Sequence, residues 1–183
     1  MLELEKGKSI SELMESVGKN CCEEIIKRFV TKGKNFVILC GSGNNGGDGF
    51  CLARYLKRYV DVSVIFLENK DNLDDEAKTN YFKILGNVKN DLSLIKKADF
   101  LIDAILGTGI KGSLREPIKN AVNLYNDSKA FKIAIDVPSG IDPDGNENSD
   151  LIAIPDLVFA IHDIKKGALD YEDKTIIVDI GLK

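Results

Sequence analysis

Phe36-Val37-Ile38-Leu39-Cys40 is an unbroken apolar run, and Gly41-Ser42-Gly43-Asn44-Asn45-Gly46-Gly47-Asp48-Gly49 follows it at once. Such a run suits a strand buried on both faces, as in a parallel sheet. A glycine-rich string directly behind it predicts a strand-to-helix turn in which peptide N–H groups can come close to a phosphate. The next helix, starting near Gly47 and carrying Phe50, Leu52, Ala53, Tyr55 and Leu56, would aim its positive end at the same place.

The same alternation continues along the chain. Val62–Leu67, Phe100–Asp103, Phe131–Asp136, Leu157–Ile161 and Thr175–Val178 read as strands. Before the first strand, Ile10, Leu13, Met14, Val17, Cys21, Ile25 and Phe29 recur at helical spacing. Ser9 and Glu12 have the spacing of a capping box, and Gly33 is a plausible stop. Further helical segments are predicted over Asn72–Leu85, briefly over Leu92–Ala98, and after Pro117, where Ile118, Ala121, Val122 and Leu124 supply the buried face. Strands alternating with helices predict one Rossmann-like domain over residues 1–183, a three-layer α/β/α sandwich with a mainly parallel sheet.

Composition narrows the class. With 44% hydrophobic and 30% charged residues the chain can build a sizeable core, and a net charge of −4 offers no general attraction to nucleic acid. No apolar run is long enough to span a bilayer and the first residues lack a signal-peptide stretch, so a cytoplasmic setting is expected. Cys21, Cys22, Cys40 and Cys51 have no zinc-site spacing and read as buried reduced thiols. His162 is the single histidine, which leaves little room for a histidine metal site or a serine-histidine triad.

In open parallel sheets ligands bind beyond the carboxyl ends of the strands. Three segments fall there: the glycine string, Asp103 to Ser113, and Asp136-Val137-Pro138-Ser139-Gly140. Each brings glycine and one carboxylate. Asp136 follows an apolar run, where partial desolvation suits a general acid or base. Lys111 can add a point charge for a phosphate, and Arg115 can do the same. The plainer readings are a tight turn with Asp48 as a helix-start charge, a loop-capping Asp103 and a turn-forming Asp136. Gly41, Gly43 and Gly46 also satisfy G-x-G-x-x-G, with Glu68 at the end of the next strand, as in a nicotinamide dehydrogenase. No G-K-[ST] follows, which excludes a P-loop.

In these residues the sequence resembles the NAD(P)H-hydrate epimerase family, also called the YjeF N-terminal domain family. The matching strings are Gly43–Gly49, Asp103–Gly109, Arg115-Glu116-Pro117 and Asp136–Gly140. Leu13-Met14-Glu15 and Lys165-Lys166-Gly167 extend the match to nearly the whole chain. Ser16-Val17, where the family usually has Asn-Ala, departs from the pattern.

The resemblance implies a three-layer domain, usually a homodimer, acting on NADH or NADPH hydrated at carbon 6 of the nicotinamide ring. The family interconverts the R and S hydrates so that a separate NAD(P)H-hydrate dehydratase can restore the cofactor. This chain stops near Ile180-Gly181, where bifunctional relatives continue, so the dehydratase step is expected from another chain. By position, Asn44, Asn45, Gly46, Gly47 and Asp48 would bind substrate, together with Gly107, Thr108, Gly109, Ile110, Lys111, Gly112, Ser113 and Asp136. Asn45, Asp103 and Ser139 would hold a potassium ion. Asp136 would be catalytic, giving a proton to the departing hydroxyl. A non-catalytic scaffold of this fold that binds nucleotide, protein or RNA is the alternative from another class, with the dehydrogenase behind it. Neither a nucleic-acid nor a membrane partner is expected.

Overall fold

The computed structural model describes residues 7–107 and 112–181, so the expectations at Thr108, Gly109, Ile110 and Lys111 lie outside the described residues. The elements in chain order are α1 (Ile10–Arg28), β1 (Asn35–Cys40), α2 (Asn44–Leu56), β2 (Asp61–Phe66), α3 (Asp75–Lys83) and β3 (Phe100–Ala104). Then come α4 (Ile118–Asp127), β4 (Phe131–Ile135), β5 (Leu157–Ile161) and β6 (Thr175–Val178). The strands form one sheet in the order β2-β1-β3-β4-β5-β6, every neighbouring pair parallel.

Side chains alternate across a strand, so each strand feeds two cores. Phe36, Ile38 and Cys40 of β1 join Val17, Cys21 and Ile25 of α1 and Phe50, Leu52 and Leu56 of α2 on one face. Val37 and Leu39 join Ala121, Val122 and Tyr125 of α4 on the other. The result is the Rossmann-like α/β/α layering that the apolar runs predict, with a sheet that is wholly parallel. All four cysteines are buried free thiols. Among the described residues no helix is long and apolar enough to cross a membrane.

The capping box forms: the Ser9 hydroxyl accepts from the Glu12 N–H, and the Glu12 carboxylate accepts from the Ser9 N–H at 2.7 Å. Helix α1 stops at Arg28, five residues short of the expected Gly33. Phe29 turns into extended backbone, and its ring packs 5.2 Å from Phe100 and 5.0 Å from Phe131. Gly33 instead serves the turn into β1, with φ +74°.

Helix α2 starts at Asn44, three residues before the expected Gly47. Gly43, in extended backbone, is its N-cap, and its carbonyl accepts from the Gly47 N–H at 3.0 Å. The glycines behind Gly43 are therefore helical and tightly packed. A side chain at Gly46 would strike the Gly41 carbonyl oxygen. One at Gly47 would lie 2.7 Å from Met14 Sδ, and one at Gly49 2.7 Å from both Ala104 Cβ and Cys40 Sγ. Local composition reads as a turn here, but close tertiary approach makes it a helix.

Candidate active site

The chain runs from β1 outward to β2 and then back past β1 to β3. Strand order reverses there, and in such sheets a crevice opens beyond the carboxyl ends at that point. A cleft of about 420 Å³ occupies this position. Asn44, Asn45 and Asp48 from the first turns of α2 form one wall. Ile105, Leu106 and Gly107 behind β3, with Asp136 behind β4, line the rest. The first N–H groups of a helix have no intrahelical partner, so the start of α2 offers donors and positive potential to the cleft.

Beneath this cleft Asp103 and Ser139 are fully buried. The register places Asp103 between Leu39 and Ala134. Its Oδ1 accepts from the Ser139 hydroxyl at 2.6 Å and the Ile105 N–H at 3.1 Å, and its Oδ2 accepts from the Ser139 N–H at 2.8 Å. Burial pushes the Asp103 carboxyl above its ordinary value, against the lowering effect of these bonds. Ser139 Oγ also accepts from the Leu106 N–H at 3.0 Å, and Asn45 Nδ2 donates to the Leu106 carbonyl at 3.0 Å. One hydrogen-bonded chain thus links the start of α2 to the loops behind β3 and β4. The other end of the Asn45 amide, Oδ1, is buried and meets no hydrogen-bond donor.

Asp136 stands one residue beyond β4 with φ 65°, in the left-handed region that side chains other than glycine seldom adopt. Its N–H donates to the Phe159 carbonyl at 2.8 Å, and the Val137 N–H donates back to the Ile135 carbonyl at 2.9 Å. This is a γ-turn of positive φ centred on Asp136. Its carboxylate lies 3.1 Å from Lys165 Nζ. Asp48 also lines the cleft, and burial pushes its carboxyl well above the usual range, with the charge of Asp136 adding to the shift.

Of the substrate-binding candidates, Asn44, Asn45, Asp48, Gly107 and Asp136 share the cleft. Gly46 and Gly47 are packed into α2, with the Gly47 N–H already bonded within the helix. Gly112 and Ser113 are exposed and do not line it. The sequence does not single out Asp74 and offers Glu68 only as part of a dehydrogenase pattern, yet both line the cleft. The Glu68 carboxylate accepts from the Ser42 N–H at 2.6 Å and so braces the turn behind β1. Lys165 appeared only within a family string. Its approach to Asp136 depends on a turn that a one-dimensional pattern does not announce. Among the described residues no group of three or more His, Cys, Asp or Glu side chains could hold a metal ion.

The profile of the family described as YjeF-related protein N-terminus matches residues 10–167. The bifunctional NAD(P)H-hydrate repair enzyme Nnr of Archaeoglobus fulgidus is 41% identical over 96% of this chain, which spans 38% of that relative's length. The NAD(P)H-hydrate epimerase of Nitrosopumilus maritimus is 34% identical over 93% of this chain and 85% of its own. The crystal structure of the yeast protein YNL200c superposes with a TM-score of 0.81 at 25% identity, covering 92% of this chain and 78% of the other. The chain belongs to the YjeF-related protein N-terminus family.

Proposed function

We propose that the chain is an NAD(P)H-hydrate epimerase, an isomerase that interconverts the R and S hydrates of NADH and NADPH in the cytoplasm. The observation that carries this reading is Asp136, held in a left-handed turn beside Lys165 on the cleft shared with the N-terminus of α2. Relatives of similar length bear the epimerase name, among them the Nitrosopumilus maritimus protein. The reduced, buried cysteines suit a reducing compartment.

Carbon 6 of the hydrate bears a hydroxyl and is bonded to the ring nitrogen. When the C–O bond breaks, the oxygen takes the bonding pair and a proton and leaves as water. The nitrogen lone pair closes to an iminium. Water returning to the other face gives up a proton as the new C–O bond forms. Asp136 is the group that handles the proton, and no redox partner is required. Reversible ring opening to an aldehyde would call on the same group.

The test is incubation of purified R hydrate with the protein, following the S form by chromatography. Acceleration over the spontaneous rate is expected from the wild type, and its absence would leave a non-catalytic scaffold as the better reading. Asp136→Asn should abolish the acceleration with the fold intact; full activity in that variant would remove Asp136 from the role.

Asn45, Asp103 and Ser139 would hold a potassium ion. The fit rests on oxygen chemistry: a buried carboxylate, a hydroxyl, and the Asn45 Oδ1 that meets no donor. Bound there, potassium supplies a fixed positive charge between the loops behind β1, β3 and β4. Exchange of potassium for choline should slow epimerisation reversibly; an indifferent rate would count against the site. The homodimer and the separate dehydratase belong to the same proposal, and light scattering in solution tests the dimer.

A further inference from the structure

Lys165 Nζ donates to the Ile161 carbonyl at 2.9 Å and the Asp163 carbonyl at 3.2 Å, and lies 3.1 Å from Asp136 Oδ1. Two of the three ammonium protons have carbonyl acceptors, and the contact with Asp136 Oδ1 is an ion pair without hydrogen-bond geometry. An exposed lysine–aspartate pair is worth little, because water screens it and both side chains must be ordered. This pair is different: the Lys165 and Asp136 side chains are only 28% and 16% exposed. Two of the three oxygens are backbone atoms, one in the last residue of β5 and one in the turn behind it.

The backbone beneath this ion pair is repeated. Strand β5 ends as β4 does: His162 has φ 67°, its N–H donates to the Val178 carbonyl at 3.1 Å, and the Asp163 N–H donates back to the Ile161 carbonyl at 2.8 Å. Adjacent strands thus finish in the same γ-turn, one centred on Asp136 and one on His162. Lys165 takes two carbonyls of the second turn and the carboxylate of the first. A residue in this backbone conformation is strained and persists because its surroundings hold it.

The charged neighbours are few. From α2 comes Asp48, whose shift has burial and the charge of Asp136 as its causes, with no hydrogen bond among them. From the β5 side come His162, Asp163 and Lys165 itself. Of the carboxyls that line the cleft, Asp136 is the one that the Lys165 ammonium meets among the described residues.

We propose that Lys165 is a positioning residue for the epimerase reaction: it ties the twin turns behind β4 and β5 together and holds the Asp136 carboxylate at the cleft. This rests on the epimerase reading. Lys165→Met, close in length and lacking the charge, should lower kcat roughly 10- to 100-fold with KM little changed, the pattern of a lost alignment in the transition state. Lys165→Ala should recover part of that kcat with ethylammonium and not with tetramethylammonium at equal ionic strength, because only the former donates hydrogen bonds. Circular dichroism on both variants checks that the fold is retained. Full kcat in Lys165→Met, or equal response of Lys165→Ala to the two cations, overturns the role while leaving the epimerase reading standing. A wild type that does not accelerate the R-to-S conversion overturns both.

Discussion

The two ends of strand β3 are built to opposite rules. At the amino end Phe100 stacks on Phe36, centroids 4.5 Å apart and planes within 2°, and meets Phe29 and Phe131 at 5.2 and 5.8 Å. Three residues on, Asp103 places a carboxylate where no water reaches it. An aromatic cluster strengthens a fold through area and ring geometry. A buried carboxylate weakens it unless donors surround it. Ser139 and Ile105 supply those donors, so the carboxyl end is kept polar by bonds from the loop behind β4 and from β3's own continuation. One end of the sheet holds the molecule together, and the other carries groups whose value lies in what they can bind.

Substitutions can break this contrast. The largest effect on stability is expected from Phe100→Ala, which empties the centre of the aromatic cluster and should cost about 3–5 kcal/mol. Urea unfolding should show the loss, while kcat per folded molecule stays unchanged because the cleft lies at the far end. A matching drop in kcat would mean that the two ends are coupled. Asp103→Asn keeps the shape but turns an acceptor into a donor against Ser139 and Ile105, with an expected cost of about 1–3 kcal/mol. Here stability and epimerisation should fall together, and the response to potassium should flatten; an unchanged potassium response would detach Asp103 from the ion.

Asp48→Asn sharpens the contrast in the opposite direction, with the smallest effect. The folded-state value of Asp48 is raised above its unfolded value. Its contribution is therefore fully present below the unfolded value and is lost as pH rises through the folded one. The variant should be more stable than the wild type at neutral pH and should converge on it toward pH 4 and below. Thermal unfolding across that range reads the difference, and a gap that widens in acid would contradict the assignment.

The strands were legible because burial on both faces demands uninterrupted apolar residues. Phe36–Cys40 and its counterparts carry that demand in one dimension. The meeting of Asp103, Ser139 and the start of α2 followed from the same reading, since ligands gather at the carboxyl rim of a parallel sheet. The end of α1 was less legible because Phe29 answers to Phe100 and Phe131, far along the chain. The start of α2 was hidden because Asn-Asn-Gly-Gly has a turn's composition, and its helix exists through contact with Gly41, Met14 and Cys40. Asp136 was visible as a residue, but its left-handed backbone and its tie to Lys165 were not, since aspartate carries no local mark of positive φ.

The close packing of Gly46, Gly47 and Gly49 changes what a search by glycine pattern detects. Such a pattern is commonly taken as the imprint of a phosphate, yet these three positions record how near a helix lies to its neighbours. An alanine scan across 41–49 would divide accordingly. Losses at Gly46, Gly47 and Gly49 would report folding yield, and losses at Asn44, Asn45 and Asp48 would report chemistry in molecules that folded. Methods that weigh the stretch as one motif merge two physical requirements that alternate within the first two turns of one helix.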